Sequence, residues 1–234
     1  MPLPELVPMP EKLKDLCRSL GVSDLGFFPC PPEPPGGLPW GISLAVRLSD
    51  AVVEEIDGAP THGYFHHYRT VNAFLDQAML RVGLALQEEG WRYLPVPASQ
   101  SVPTPEDPRG FHGRWSHKRA AVLAGLGTMG TSGLFLHREW GPRVRLGTVF
   151  TDCPLCREAP PLLLPERCRG CGACVRACPA GAIYGRLWEP GQEEFRLVDP
   201  ARCSRHMKAA YQQIGRGAVC GICMRVCPAG QGRA

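Results

Sequence analysis

The apolar positions of this chain fall into helical and extended runs separated by stretches rich in proline and glycine. Leu13, Leu16, Cys17 and Leu20 share one face at helical spacing and Gly21 follows them, so a short helix is expected over residues 11–20. Val71, Phe74, Leu75, Ala78, Val82, Ala85 and Leu86 repeat that spacing, which predicts a long helix over residues 68–89 with Gly90 as its stop. Residues 116–124 predict a third helix, followed by a glycine turn. Two runs read as strands. Residues 42–48 are apolar almost throughout, as in a strand covered on both faces. Residues 143–150 form the second strand. Residues 27–39 and 94–108 read as irregular connections. Helix and strand alternate, so the first domain is expected to be α/β or α+β, and the whole chain α+β.

The 234 residues are enough for one medium domain and a small one. An apolar content of 44% supports a packed core, while 25 prolines and 27 glycines put much of the chain in turns. Pro160-Pro161-Leu162-Leu163-Leu164-Pro165 punctuates the sequence and marks a boundary between a first domain, 1–160, and a second, 161–234. Within the second, residues 182–187 and 194–198 flank Glu189-Pro190-Gly191 and predict a hairpin.

The second domain contains a repeat. Cys171-Gly172-Ala173-Cys174-Val175-Arg176-Ala177-Cys178-Pro179-Ala180-Gly181 returns as Cys220-Gly221-Ile222-Cys223-Met224-Arg225-Val226-Cys227-Pro228-Ala229-Gly230, with eight of eleven positions identical. The first copy extends upstream to Cys168, giving three cysteines at x2 spacing and a fourth before proline, the ligand pattern of 4Fe–4S clusters. In two-cluster ferredoxins the fourth cysteine crosses to the other cluster. Cluster one is therefore expected on Cys168, Cys171, Cys174 and Cys227. In the second copy the equivalent of Cys168 is Gly217, so cluster two needs a ligand from elsewhere, and Cys203 is the nearest upstream. Its set becomes Cys178, Cys203, Cys220 and Cys223. Soft thiolates suit such cores. Zinc favours two spaced pairs, which this array is not.

Disulfides would call for an oxidising compartment. Met1-Pro2-Leu3-Pro4-Glu5 has neither a basic region nor an apolar run, and no stretch has the length of a membrane span, so a soluble cytoplasmic protein is expected. Of the remaining cysteines, Cys17 reads as a small core residue. Cys153-Pro154-Leu155-Cys156 has redox spacing, although no helix clearly follows it, and Cys30 has no assigned role. His62, His66 and His67 read as polar residues at a helix start, with metal or cofactor contact as the other reading.

The net charge of +4 conceals an asymmetry. Residues 1–108 carry 7 Lys plus Arg against 14 Asp plus Glu, and residues 109–234 carry 19 against 8. The basic half offsets anionic clusters, or presents a surface to nucleic-acid phosphates.

Gly125-Leu126-Gly127-Thr128-Met129-Gly130 fits a dinucleotide fingerprint literally, but helix precedes it where a strand is required. The longer context is more specific: Lys118-Arg119-Ala120-Ala121-Val122-Leu123-Ala124 runs into those glycines, Gly141-Pro142-Arg143-Val144-Arg145-Leu146-Gly147 and Thr151-Asp152 follow, and then the cysteine module. Over residues 117–227 this resembles the epoxyqueuosine reductase family, relatives of the reductive dehalogenases. Tyr64, Tyr68 and Asn72 occupy comparable places in the weaker N-terminal part. The resemblance implies a cobalamin-binding domain related to the flavin nitroreductase fold, joined to a two-cluster ferredoxin domain. It also implies cobalamin reduced through the clusters by an external low-potential donor, and tRNA as substrate in the epoxyqueuosine enzymes. On this reading Gly125, Leu126, Gly127, Gly130 and Tyr68 contact the corrinoid, the glycines allowing close backbone approach.

The chain departs from that pattern. His112 stands where the tRNA enzymes carry an Asp proton donor, and His112 and His117 become the candidate donors. The chain ends seven residues after Cys227, where those enzymes continue with helical material, so a substrate-recognition element is expected to differ. Two functions follow: a corrinoid-dependent reductase with unassigned substrate, or a ferredoxin-like carrier serving a partner, such as a corrinoid protein.

Overall fold

The structure, a computed structural model, describes residues 8–105, 108, 110–111, 113–156, 158–191 and 196–231. Helix α1 (Met9–Leu20) is closed by Gly21, whose left-handed backbone lets its N–H reach the carbonyls of Arg18 and Cys17. Strands β1 (Asp24–Pro29) and β2 (Trp40–Arg47) pair in antiparallel register. A short helix α2 (Asp50–Glu54) leads to the long helix α3 (His62–Glu88) and strand β3 (Tyr93–Val96). Helix α4 (His117–Leu123), the hairpin of β4 (Gly127–Met129) and β5 (Phe135–His137), and strand β6 (Val144–Thr151) follow.

The four long strands form one antiparallel sheet in the order β1-β2-β6-β3. Alternation sends Ile42, Leu44, Val46 and Val149 to one face, where they pack on Leu75, Met79 and Val82 of α3 and on Leu13 of α1. Ala45, Val144, Leu146 and Phe150 face the other way, onto Ala120, Ala121 and the β4–β5 hairpin. Both faces are covered, which explains the unbroken apolar runs of β2 and β6. The result is a mixed α and β architecture.

Three sequence expectations change. Residues 27–29 belong to β1, not to a loop; Pro29 ends an edge strand, where its missing N–H is tolerated. Residues 93–96 form the opposite edge, again with a proline, Pro95. Helix α3 begins at His62, earlier than the apolar spacing suggested, because Thr61 Oγ1 accepts from the Tyr64 N–H at 3.0 Å and caps it.

Residues 158–165 contain no regular element. Beyond them lie a 3-10 turn at Glu166–Cys168, helix α5 (Ala173–Ala177), helix α6 (Pro200–Ala210), a 3-10 turn at Gly215–Gly217, helix α7 (Ile222–Arg225) and a final turn at Pro228–Gly230. The predicted hairpin is reduced to one bridge, Ile183 to Val198, and residues 192–195 lie outside the described part. Val219, Ile222 and Met224 join the core of the first part, beside Ile56 and Tyr64. No helix among the described residues is long and apolar enough to cross a membrane.

Candidate iron–sulfur and cofactor site

Each copy of the repeat builds the same local device. The glycine after the leading cysteine, Gly172 or Gly221, adopts a left-handed conformation and turns the chain into a helix of one turn, α5 or α7. That turn carries the next cysteine, Cys174 or Cys223, and the Cys-Pro step ends it. The two short helices pack against each other.

The eight thiols of the array lie close together around α5 and α7. Cys168, Cys171, Cys174 and Cys227 line one cleft together with Gly130, Thr131 and Ser132. Burial pushes the Cys174 and Cys227 thiols up, and neighbouring thiols of the same set push them further. Cys203 is raised to about 11 by burial and then by Cys220 and Cys178. Cys223 is raised by burial and then by Cys220, Cys203, Cys174 and Cys178, so it feels thiols of both expected sets. Thiols gathered this way suit ligands of a shared centre, and loading such a centre releases their protons. Among the described residues no three His, Cys, Asp or Glu side chains converge as on a single bare ion. A cubane asks for a wider set, because its own irons and sulfides separate the four thiolates.

Gly217 explains the broken repeat. Its backbone is left-handed, and a Cβ there would press on the Met207 carbonyl at 2.6 Å and on Lys208. Helix α6 occupies the space a side chain at 217 would need, and the same helix carries Cys203 in its first turn.

Next to the second thiol set lies a cavity of about 660 Å³ between α3, α4, β6 and the cysteine lobe. Tyr68, Trp115, Phe135 and Trp188 supply flat walls, Arg145 a charge, and Met224, next to Cys223, part of its boundary. Arg145 Nε donates to Asn72 Oδ1 at 2.9 Å and Nη2 to the Tyr68 hydroxyl at 3.3 Å. Its guanidinium carbon sits 4.3 Å from the centre of the Tyr68 ring. Burial pushes the Tyr68 phenol up, but the Arg145 charge and hydrogen bonds with Ser99 and Asn72 outweigh it, and the net shift is downward. Tyr64 stands 6.5 Å from Tyr68, ring to ring, with its hydroxyl towards the Met224 sulfur.

The sequence-derived candidates fare unequally. Tyr68 and His117 line the cavity. His117 is committed at both ring nitrogens: Nε2 donates to the Pro97 carbonyl and Nδ1 accepts from the Thr148 hydroxyl, each at 2.8 Å. It is an orienting residue in this arrangement rather than a ready proton donor. His112 lies outside the described residues. Gly125, Leu126, Gly127 and Gly130, expected at a corrinoid, do not line the large cavity. A Cβ on Gly125 would meet Pro160, on Gly127 the Leu136 carbonyl, and on Gly130 the Leu136 side chain, while Leu126 is buried in the core. These glycines let the β4–β5 hairpin close. Helix before and strand after them also exclude the dinucleotide reading.

Cys153 is buried and its thiol is pushed up to about 11 by burial and by Asp152 and Glu89, the reverse of an activated redox cysteine. Cys17 is a core residue. His67 Nε2 accepts from the Ser49 N–H at 3.0 Å, and burial lowers its pKa. Sequence reasoning missed Arg145, Trp115, Trp188 and Met224. The usable signal was Arg145 itself, a charge within a strand otherwise covered on both faces.

Comparison with known proteins defines the class first. Residues 167–230 match the family described as a 4Fe-4S double cluster binding domain, so this is an iron–sulfur protein of the two-cluster kind. The epoxyqueuosine reductase of Salmonella typhimurium is 30% identical over 173 residues, 73% of this chain and 37% of that protein. A tetrachloroethene reductive dehalogenase of Desulfitobacterium hafniense is 45% identical over 84 residues, 36% of this chain and 14% of that protein. A catabolic reductive dehalogenase, solved with 3-bromo-4-hydroxybenzoic acid, superposes over 94% of this chain and 32% of its own with a TM-score of 0.72 at 18% identity. An epoxyqueuosine reductase solved with a modified tRNA stem loop covers 95% of this chain and 65% of its own with a TM-score of 0.62 at 18% identity. The chain is similar to the epoxyqueuosine reductases and to the reductive dehalogenases. It spans between about a seventh and two fifths of the length of these two curated relatives.

Proposed function

We propose that the chain is an iron–sulfur oxidoreductase that passes electrons from an external low-potential donor, through clusters held by Cys168, Cys171, Cys174 and Cys227 and by Cys178, Cys203, Cys220 and Cys223, to a corrinoid seated in the Tyr68–Arg145 cavity. The observation that carries this is the position of the cavity, bounded by Met224, the residue next to Cys223. Bound clusters supply one-electron transfer, and a bound corrinoid supplies low-potential reduction of a substrate. Gly170, exposed between Cys168 and Cys171, faces the donor side. Met224, next to Cys223, and Tyr68 line the acceptor side of the cavity, with Tyr64 against Met224. The aromatic walls fit a flat macrocycle, and Ser99, Gln100 and Arg145 offer polar contacts at its rim. Tyr68, with its lowered phenol beside Arg145, is the best-placed proton donor among the cavity residues described.

In this reading the first domain, 1–160, is a cobalamin-binding domain of nitroreductase lineage, and 161–234 is the ferredoxin-type domain, both acting in the cytoplasm. Anaerobic reconstitution with hydroxocobalamin, followed by desalting, tests it. Retention of about one corrinoid and about eight irons per chain is expected. Eight irons without corrinoid would leave the carrier reading.

The partner class proposed for the basic half is tRNA. Arg169, Arg176, Arg186, Arg202, Arg205 and Arg216 are all exposed on the cysteine lobe. If three or so of them meet phosphates, the logarithm of the binding constant for a tRNA anticodon stem loop falls with the logarithm of salt at a slope of about −2 to −3. A flat response would remove tRNA as the partner.

A further inference from the structure

The tip of the β4–β5 hairpin is buried, although hairpin tips ordinarily face water. Thr131 is 6% exposed and Ser132 8%. The turn closes on itself: Gly130 N–H donates to the Leu134 carbonyl at 2.9 Å and Gly133 N–H to the Gly130 carbonyl at 2.8 Å. Gly133, left-handed, lies against Val198, and Lys118 Nζ donates to its carbonyl at 2.9 Å. Ser132 Oγ accepts from the Leu134 N–H. The tip is thereby held rigidly in the cleft lined by Cys168, Cys171, Cys174 and Cys227.

One group is left over. Thr131 Oγ1 is buried and has no hydrogen-bond partner among the described residues. A hydroxyl carries one donor, and buried donors in native proteins are almost always used. Thr131 shares its cleft with four cysteines, Cys168, Cys171, Cys174 and Cys227. We infer that the Thr131 hydroxyl donates a hydrogen bond to a sulfur of the cluster held by Cys168, Cys171, Cys174 and Cys227 and raises that cluster's reduction potential. The inference rests on the ligand set proposed above. Its sign follows from charge: reduction adds an electron to the cluster, and an O–H dipole aimed at sulfur stabilises the more negative state more strongly.

Redox titration followed by electron paramagnetic resonance tests it on Thr131→Val, which keeps the shape and removes the hydroxyl, and on Thr131→Ser, which keeps the hydroxyl. Cys168→Ala identifies which signal belongs to this cluster. At a fixed ambient potential, Thr131→Val should change the oxidised-to-reduced ratio of that cluster about tenfold towards oxidised, a shift of ~59 mV for one electron. Thr131→Ser should stay near the parent value, and the other cluster should not move. An unchanged or higher potential in Thr131→Val, with iron at about eight per chain, would overturn the hydrogen bond alone. Cys168→Ala retaining both signals and all its iron would overturn the ligand set as well.

Discussion

Replacing Cys203 with alanine is expected to lower iron from about eight to about four per chain and abolish one of two cluster signals. The first domain should stay folded, because Cys203 belongs to neither of its two apolar cores. Its thiol is raised to about 11 by burial and then by Cys220, Cys178 and Asp199. Without it the second set has three members, and no second cysteine stands near in sequence to replace it. Adding Gly217→Cys to the same chain, which restores the symmetry of the repeat, should not restore the iron. Residue 217 has a left-handed backbone with the Met207 carbonyl across it, so a cysteine there is strained and cannot point into the set. Cys153→Ala is the control and should keep all its iron. If Cys203→Ala holds about eight irons, the ligand is another cysteine, and the pairing argued here is wrong.

The sequence was most legible where one residue type has one physical use. The cysteine array, its Cys-Pro ends and the departure at Gly217 gave two sets of four, and four of those thiols, Cys168, Cys171, Cys174 and Cys227, line one cleft. Apolar period and glycine stops gave α1, β2, α4 and β6 to within a few residues. Elsewhere the local signal was ambiguous. The first two turns of α3 contain His62, Gly63, His66 and His67, which break the apolar spacing, and only the Thr61 cap marks its start. Strands β1 and β3 lie at sheet edges, where Pro29 and Pro95 are tolerated, and proline was taken as a sign of loop. The glycines at 125, 127 and 130 announced a close approach, but a missing Cβ does not say what approaches. Here it is Pro160 and Leu136. The cavity was invisible because its walls come from positions far apart in the chain, Tyr68, Trp115, Arg145, Trp188 and Met224.

Gly141→Ala tests how the two parts are joined. Gly141 closes a tight bridge with His137, accepting from its N–H at 2.8 Å and donating to its carbonyl at 3.0 Å. His137 is itself buried, stacked on Trp140 at 4.1 Å and bonded to Asp24 at 3.0 Å, so this corner cannot shift freely. A Cβ on Gly141 would overlap the backbone of Ala229, in the turn directly after Cys227. That turn is clasped from the other side as well, since Gly230 lies against Pro142 and the fully buried Arg143, whose Nη1 donates to Asp50 at 2.7 Å. Alanine at 141 adds left-handed strain of about 1–2 kcal/mol to an overlap of about 1–3 kcal/mol with a backbone that cannot rotate away. The melting temperature should fall by roughly 5–15 °C. Gly90→Ala is the matched control: its backbone is also left-handed but nothing lies within 4 Å, so it carries the strain without the overlap. The difference between the two variants measures the contact between the parts. Because that contact positions Cys227, Gly141→Ala should also lose iron from the cluster of Cys168, Cys171, Cys174 and Cys227 before the other. Equal destabilisation in both variants, with iron retained, would mean that the C-terminal turn moves aside without cost and that Gly141 does not dock it.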